Sequence, residues 1–432
     1  MVIEGMDQQE KFDFITQKVK ERPLNKRKLM RKALITASMA VVFGLIACFT
    51  FIILQPVINN WLHPREEVER IEIPVAEEEI SPEEMVVHEE EMLEPSQEVI
   101  ESLKDEFRLG ISDYQEFYHN VYDVVHNMKA AMVTVEGVSE QMDWFNSTYE
   151  SSDQCTGFIF AQNNLEILIL LNIHTIREEE KIEVTFVDGR TATAYLKGKD
   201  YNTDLTVVAV AKNALPKSTL DALGTLILGS SKREDLLATP IIAVGDPLGK
   251  PSVIYGMITS VGNMANMIDA NYEILTTDIY GSTAAEGLLV DYNGKVLGII
   301  YQRQNDQDSK NLVSAIGITE LKPVLQRMGN GLPNTYIGLR VTEVPREIHE
   351  RKEIPLGVYV TGVEMDSPAM VSGIQNGDII IQIGKNGITT LSDYKQVIVE
   401  SKPGEIKEMI IMRQGPDGYK TATIEITMGE LQ

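Results

Sequence analysis

What the chain lacks narrows it first. It has only two cysteines in 432 residues, Cys48 inside an apolar run and Cys155 in the body, and these two cannot sensibly pair. Disulfides therefore do not stabilise the body, and nothing resembles a zinc or redox motif. Basic charge is also scarce, with 39 Lys and Arg against 64 Asp and Glu, a formal net charge of −25. Nucleic-acid binders need a basic face to displace counterions, and none is visible outside the N-terminal tail, so nucleic acid is excluded as a partner. No cofactor or metal is implied. What remains is an ordinary globular composition, long enough for two or three domains with their own cores.

One long apolar run is present. Ala33 to Leu54 carries no charge over 22 residues, and at about 1.5 Å per residue that is roughly 33 Å, enough for a bilayer core of about 30 Å. Eight basic residues and one acid lie between Lys18 and Lys32. The positive-inside rule then puts residues 1–32 in the cytoplasm and the body on the extracytoplasmic side of a cell membrane. A cleaved signal peptide would have a shorter apolar region nearer the N-terminus, followed by a small-x-small site. Ala37, Ala40, Gly44 and Ala47 share one helical face, which permits close helix approach but equally suits a lipid-facing helix. From Glu66 to Glu101 come fifteen glutamates, one basic residue and three prolines. Such self-repelling sequence reads as an extended linker or stalk.

A helical pattern runs from about Ser112 through Tyr118, Val121, Val124 and Val125. Short strand-like runs then follow to about residue 315, among them 131–136, 156–160, 182–186, 191–196, 205–210, 240–244, 288–290 and 296–300. Turn chemistry separates them at Asp188-Gly189, Gly245–Gly249 and Asn293-Gly294. Many short strands at regular spacing indicate an all-β sandwich or a pair of barrels.

The order of motifs says more. Cys155-Thr-Gly-Phe-Ile-Phe is followed by Ile169-Leu-Leu-Asn-Ile-His174, then by a segment ending Asn-Thr-Asp204-Leu. Next come Ala243-Val-Gly-Asp-Pro-Leu-Gly249, Tyr255-Gly-Met-Ile-Thr-Ser-Val261, Thr276-Thr-Asp278 and Leu289–Ile299. As a set, over roughly residues 128–325, this resembles the HtrA/Deg family of chymotrypsin-like serine proteases. The resemblance implies a double six-stranded β-barrel with the active site in the cleft between barrels. It places His174 as general base and Asp204 as the carboxylate that orients it.

The resemblance fails where the nucleophile should stand, in a Gly-Asn-Ser-Gly-Gly-Pro-Leu segment. This chain has Gly281-Ser-Thr-Ala-Ala-Glu-Gly-Leu-Leu289. Counting back from Leu289 puts Ala285 in the serine's place; counting forward from Asp278 puts Glu286 there. Alanine cannot attack, and a carboxylate beside His174 would favour an imidazolium, a poorer base. Thr283, Ala284 and Ala285 resist the positive φ that an oxyanion-hole turn needs. Ser282 and Thr283 lie too far along the chain to substitute, and Cys155 reads as a small buried residue. The expectation is a pseudoprotease. The alternative is an active serine-type endopeptidase in extracytoplasmic quality control with an unconventional nucleophile.

After Gly329-Asn-Gly-Leu-Pro333 a second unit begins. Residues 357–363 and 379–383 read as strands, Ser367-Pro-Ala as a capped helix start, Asn376-Gly-Asp378 as a turn, and Leu391-Ser392 as the cap of a helix to about Val399. This resembles a PDZ domain of the form that follows HtrA protease domains. Tyr336, Ile337, Gly338 and Leu339 match its carboxylate-binding loop, whose backbone N–H groups capture a peptide terminus while the peptide adds as a strand. The implied partners are C-termini of extracytoplasmic proteins, with a membrane contact through one helix and a possible homotrimer, since relatives are commonly trimers. The expected order is a basic tail (1–32), a transmembrane helix (33–54), an acidic linker (55–111), a mostly β, chymotrypsin-like double barrel (112–328) and a PDZ domain (334–430).

Overall fold

A computed structural model describes residues 30, 34, 36–45, 48, 50, 68–74, 110–142, 148–172, 181–233, 235–303, 305, 309–352, 354–416 and 418–430. The chain divides into two units, residues 1–67 and 68–432. In the first, the described residues of the apolar run (34, 36–45, 48 and 50) are helical and exposed. Among the described residues no helix is long and apolar enough to cross a membrane, so the expected membrane span is not an element of the described fold.

The second unit opens with a helix, Ile111–Met128, that buries Val121, Val125 and Met128 along one stripe. Tyr118, expected on that stripe, is exposed. Six strands follow: β1 (Met132–Met142), β2 (Thr148–Gln162), β3 (Glu166–Asn172), β4 (Lys181–Thr185), β5 (Thr191–Asp200) and β6 (Leu205–Ala211). They close a barrel in the order β1-β2-β3-β6-β5-β4. Strands β3 and β6 are buried on both faces, and their period of two sorts residues between two cores. Ile167, Ile169, Val208 and Val210 fill the barrel, while Leu168, Leu170, Val207 and Ala209 face the larger cluster that also holds Ile242, Val244 and Leu288.

That larger cluster joins the first barrel to the second. The latter comprises β7 (Ile227–Leu228), β8 (Pro240–Asp246), β9 (Ser252–Met267), β10 (Ala270–Tyr280), β11 (Glu286–Val290), β12 (Lys295–Ile300) and β13 (Leu312–Gly317). Its order is β11-β8-β9-β10-β13-β12, closed by β11–β12 pairing, with β7 added parallel to β12. Two six-stranded barrels are thus present, as the motif order implied.

Part of the acidic stretch is not a solvated linker. Ile71 and Ile73 are buried, and their N–H groups donate to Asn330 Oδ1 and Gln326 Oε1, each at 2.9 Å. The partners lie on or just after the helix Ile318–Gly329. Alternating Ile-x-Ile buries apolar surface that the surrounding glutamates conceal from a composition-based reading.

The C-terminal module begins with β14 (Thr335–Tyr336) and continues through β15 (Leu339–Glu343), β16 (Val358–Val363), β17 (Ile379–Ile383), β18 (Asn386–Gly387), β19 (Ile406–Gly415), β20 (Gly418–Thr427) and β21 (Gly429–Glu430). The sheet runs β15-β16-β17-β19-β20, so β15 is an edge strand. Helices Arg346–Lys352, Pro368–Val371 and Leu391–Glu400 complete it. Ser367 caps the second as expected, its Oγ accepting from the Met370 N–H at 3.1 Å. The third helix corrects the sequence reading. Its cap is Thr390, whose Oγ1 accepts from Asp393 N, while the Asp393 carboxylate accepts from Thr390 N. Ser392 lies inside the first turn, because the reciprocal Thr-x-x-Asp box sets the boundary.

Candidate functional site

The cleft between the barrels holds three carboxylates. Asp204 immediately precedes β6, in a left-handed conformation (φ 61°). Its buried carboxylate pairs with Arg303 Nε at 2.7 Å. The register Asn172↔Leu205 sets the end of β3 beside it; His174, two residues further, lies outside the described residues.

Ala285 and Glu286, the two counts for the serine's position, point to different environments. Ala285 is buried in the second-barrel cluster with Ile279, Leu289, Ile300 and Val313. Glu286 begins β11 opposite Asp246. Burial first, and then the charges of Asp246 and Asp204, push its carboxyl up to about 7. Asp246 is held from the first barrel, its Oδ2 accepting from Thr156 N at 3.1 Å. Glu286 is therefore the residue of the pair that faces Asp204. Glu286 is the position reached by counting forward from Asp278, and Ala285 the one reached by counting back from Leu289.

The turn before Glu286 is closed on itself. Ala284 N donates to Ser282 Oγ at 3.1 Å, and Ala285 N donates to Ser282 O at 3.0 Å. None of Thr283, Ala284 or Ala285 adopts positive φ, as their side chains lead one to expect. Gly281 is required for a different reason: a Cβ there would lie 2.6 Å from Val313 Cγ2 and 2.7 Å from Pro247 O. Cys155 is buried in the first-barrel core, consistent with a small packing residue. Such a cleft can bind and release protons, while the Ala284 and Ala285 N–H groups of its turn are engaged by Ser282 rather than directed at a shared point.

The second site is the loop between β14 and β15. Gly338 has φ 85°, and a Cβ on it would fall 2.2 Å from Ser367 Cβ; only glycine builds this turn. Successive N–H groups of Ile337, Gly338 and Leu339 converge, forming an anion nest. All three donate to one carboxylate: Ile337 N and Gly338 N to Asp269 Oδ2, each at 2.7 Å, and Leu339 N to Asp269 Oδ1 at 2.9 Å. Asp269 belongs to the β9–β10 turn of the second barrel, and no sequence motif had marked it.

Comparisons with known proteins agree with this geometry. Residues 155–299 match the trypsin-like peptidase domain, and residues 335–427 match the PDZ domain. The chain is 25% identical over 334 residues to serine protease Do-like HtrA of Bacillus subtilis, spanning 71% of this chain and 72% of that one. It is 26% identical over 339 residues to serine protease HTRA1 of Xenopus tropicalis, spanning 73% and 68%. Among solved structures, the HtrA-type protease AlgW with decapeptide superposes with a TM-score of 0.50 at 21% identity, covering 72% of this chain and 98% of that one; at that identity the likeness concerns the fold. The class is therefore a trypsin-like peptidase domain followed by a C-terminal PDZ domain. That pairing is the HtrA/Deg organisation.

Proposed function

We propose that this chain is a membrane-tethered HtrA-like protein that does not hydrolyse peptides and whose PDZ module docks C-termini of extracytoplasmic proteins. The observation that supports the loss of catalysis is Glu286, a carboxyl that feels the charges of Asp246 and Asp204 and that we take to stand in the serine's place. The Ser282 hydroxyl and carbonyl, which accept the two preceding N–H groups, support it further. Peptide docking is supported by the convergent N–H groups of Ile337, Gly338 and Leu339 beside β15, the edge strand of its sheet. The deciding experiment is turnover of casein and fluorogenic peptides by the purified protein, alongside a His174→Ala variant. Background rates in both are expected; cleavage that depends on His174 overturns the reading.

The tether is inferred from the described helix residues Leu34, Met39, Val41, Val42, Phe43 and Leu45, all large, apolar and exposed. A helix apolar on every side needs a nonpolar surrounding. Retention in the membrane pellet after alkaline carbonate extraction is expected, and release into the supernatant overturns it. A homo-oligomer, a trimer by resemblance, is supported by the exposed aromatics Tyr114, Tyr118 and Tyr255 on the outer face of the second unit. A monomer by light scattering removes that element.

One observation favours a second reading. A carboxyl with a pKa near 7 beside other carboxylates is an acid–base pattern, one that could activate water instead of a serine. That reading requires peptide hydrolysis at mildly acidic pH that is lost in Glu286→Gln and insensitive to fluorophosphonate probes.

A further inference from the structure

The PDZ nest is filled by the chain itself. Asp269 sits in the two-residue turn between β9 and β10, where Met267 pairs with Ala270, and has φ 54°. The residue as a whole is only half-buried, but its carboxyl is the enclosed part. Besides the three N–H donors of the nest, Tyr394 Oη donates to Asp269 Oδ1 at 3.4 Å from the fully buried Tyr394.

The mimicry extends past the carboxylate. A peptide adding beside edge strand β15 needs the outward carbonyls of that strand, which recur every second residue. Leu339 O accepts from Asp269 N at 2.7 Å, and Val341 O accepts from Asn271 Nδ2 at 2.8 Å. The hairpin tip thus takes both the anion nest and two successive edge acceptors, the set that a C-terminal residue and the preceding strand would use. A buried carboxylate with three N–H donors is well satisfied, so it is not displaced without a replacement anion.

We propose that Asp269 is an internal surrogate for a ligand's terminal carboxylate, so that a peptide C-terminus enters this PDZ site only by displacing the tip of the β9–β10 hairpin. This rests on the peptide-docking reading above. The ligand class is accordingly a free α-carboxylate on an extended strand, which can replace every bond the hairpin gives up; a C-terminal amide cannot.

The test uses the full chain in detergent and two substitutions, Asp269→Asn and Asp269→Gly. Both new residues tolerate a left-handed φ, so the turn itself is kept. Fluorescein-labelled decapeptides ending in Val, Leu or Phe, each as free acid and as amide, are titrated by fluorescence polarisation. The free-acid peptides are expected to bind both variants at least tenfold more tightly than the parent, with amides weak throughout. Equal affinities in parent and variants overturn the proposal. Hydrogen exchange at the Ile337, Gly338 and Leu339 amides decides independently of any ligand. Exchange at least tenfold faster in Asp269→Gly, with the rest of the PDZ sheet unchanged, supports the latch, and unchanged protection overturns it. Should no peptide bind any variant, the docking reading fails while the exchange result still rules on the latch.

Discussion

Two carboxyl groups occupy the two candidate sites of this molecule, and their surroundings differ. Glu286 stands in the barrel cleft and Asp269 in the PDZ nest, and burial raises both, to about 7 and about 6. Glu286 faces more negative charge, from Asp246 and Asp204. Asp269 faces three backbone N–H donors, which partly offset its desolvation. On the proposed reading, the difference is that between a site without its nucleophile and a site that can still hold an anion. In the cleft, on the reading proposed above, the carboxyl stands where the reacting group would be, and among the described residues no hydrogen bond or positive charge offsets the rise of its pKa. In the nest the carboxyl is the kind of group the site is shaped to hold. Burying a charge is costly unless it is paired or hydrogen-bonded; burial raises both carboxyls above their ordinary values, and only in the nest do N–H donors offset part of that cost.

The comparison breaks most severely at Gly338. Gly338→Ala forces a Cβ to 2.2 Å from Ser367 Cβ at a φ of 85°, so the loop must rebuild. A loss of about 3 kcal/mol or more of PDZ stability is expected, together with loss of C-terminal peptide binding, read by urea unfolding and fluorescence polarisation. A stable variant that retains the nest would show that the N–H groups are not held by this turn.

Next is the cost at Glu286, where pH gives the sign. The folded pKa, about 7, lies above the ordinary value of 4.5, so the folded state holds the proton more tightly. Stability from this group is full below pH about 4.5 and is lost as pH rises through about 7. Allowing for solvent screening, the loss is on the order of 2 kcal/mol. Glu286→Gln should flatten that decline, being more stable than the parent at pH 7.5 and equal to it near pH 4.5. Urea unfolding at the two pH values measures it, and parallel pH profiles would show that Glu286 is not strained.

Smaller again is the contribution of the docked acidic segment. Asn330→Ala removes the Oδ1 that accepts from Ile71 N and the Nδ2 that donates to Ile71 O, both at 2.9 Å. A cost of about 1–2 kcal/mol is expected, with faster proteolysis near residues 68–74. Unchanged protease sensitivity would mean the segment is held by Ile71 and Ile73 packing alone.

Much of this was legible in the sequence, for identifiable reasons. The barrel strands follow from short runs bounded by turn residues, and Leu205–Val210 reads as a strand even without alternation because both its faces are buried. The Thr390–Asp393 box was also written there, its Thr390 immediately before the Leu391-Ser392 pair that the sequence reading chose as the cap. The choice between Ala285 and Glu286 was not legible, since a deletion can be placed on either side; the apolar cluster around Ala285 and the carboxylates near Glu286 are differences of tertiary environment that no sequence count contains. Asp269 was invisible for a stronger reason. It meets Ile337, Gly338 and Leu339 across 68 to 70 residues of chain, and a solitary Asp in a hairpin turn has ordinary turn chemistry to explain it.

The smallest effect expected is the one that sharpens the comparison most. Glu286→Ser restores a hydroxyl to the position facing Asp204, and if the missing nucleophile were the whole defect, hydrolysis would return. Acyl transfer also needs N–H donors directed at the developing oxyanion, and losing one such donor costs roughly 10²–10³ in rate. Here the Ala284 N–H is held by Ser282 Oγ and the Ala285 N–H by Ser282 O, and the Asp204 carboxylate is paired with Arg303. Glu286→Ser should therefore stay at the background rate on casein and take up no fluorophosphonate probe. Clear turnover in the single variant would show that the turn relaxes readily and that the cleft, like the nest, has kept its shape and is only occupied by the wrong carboxyl.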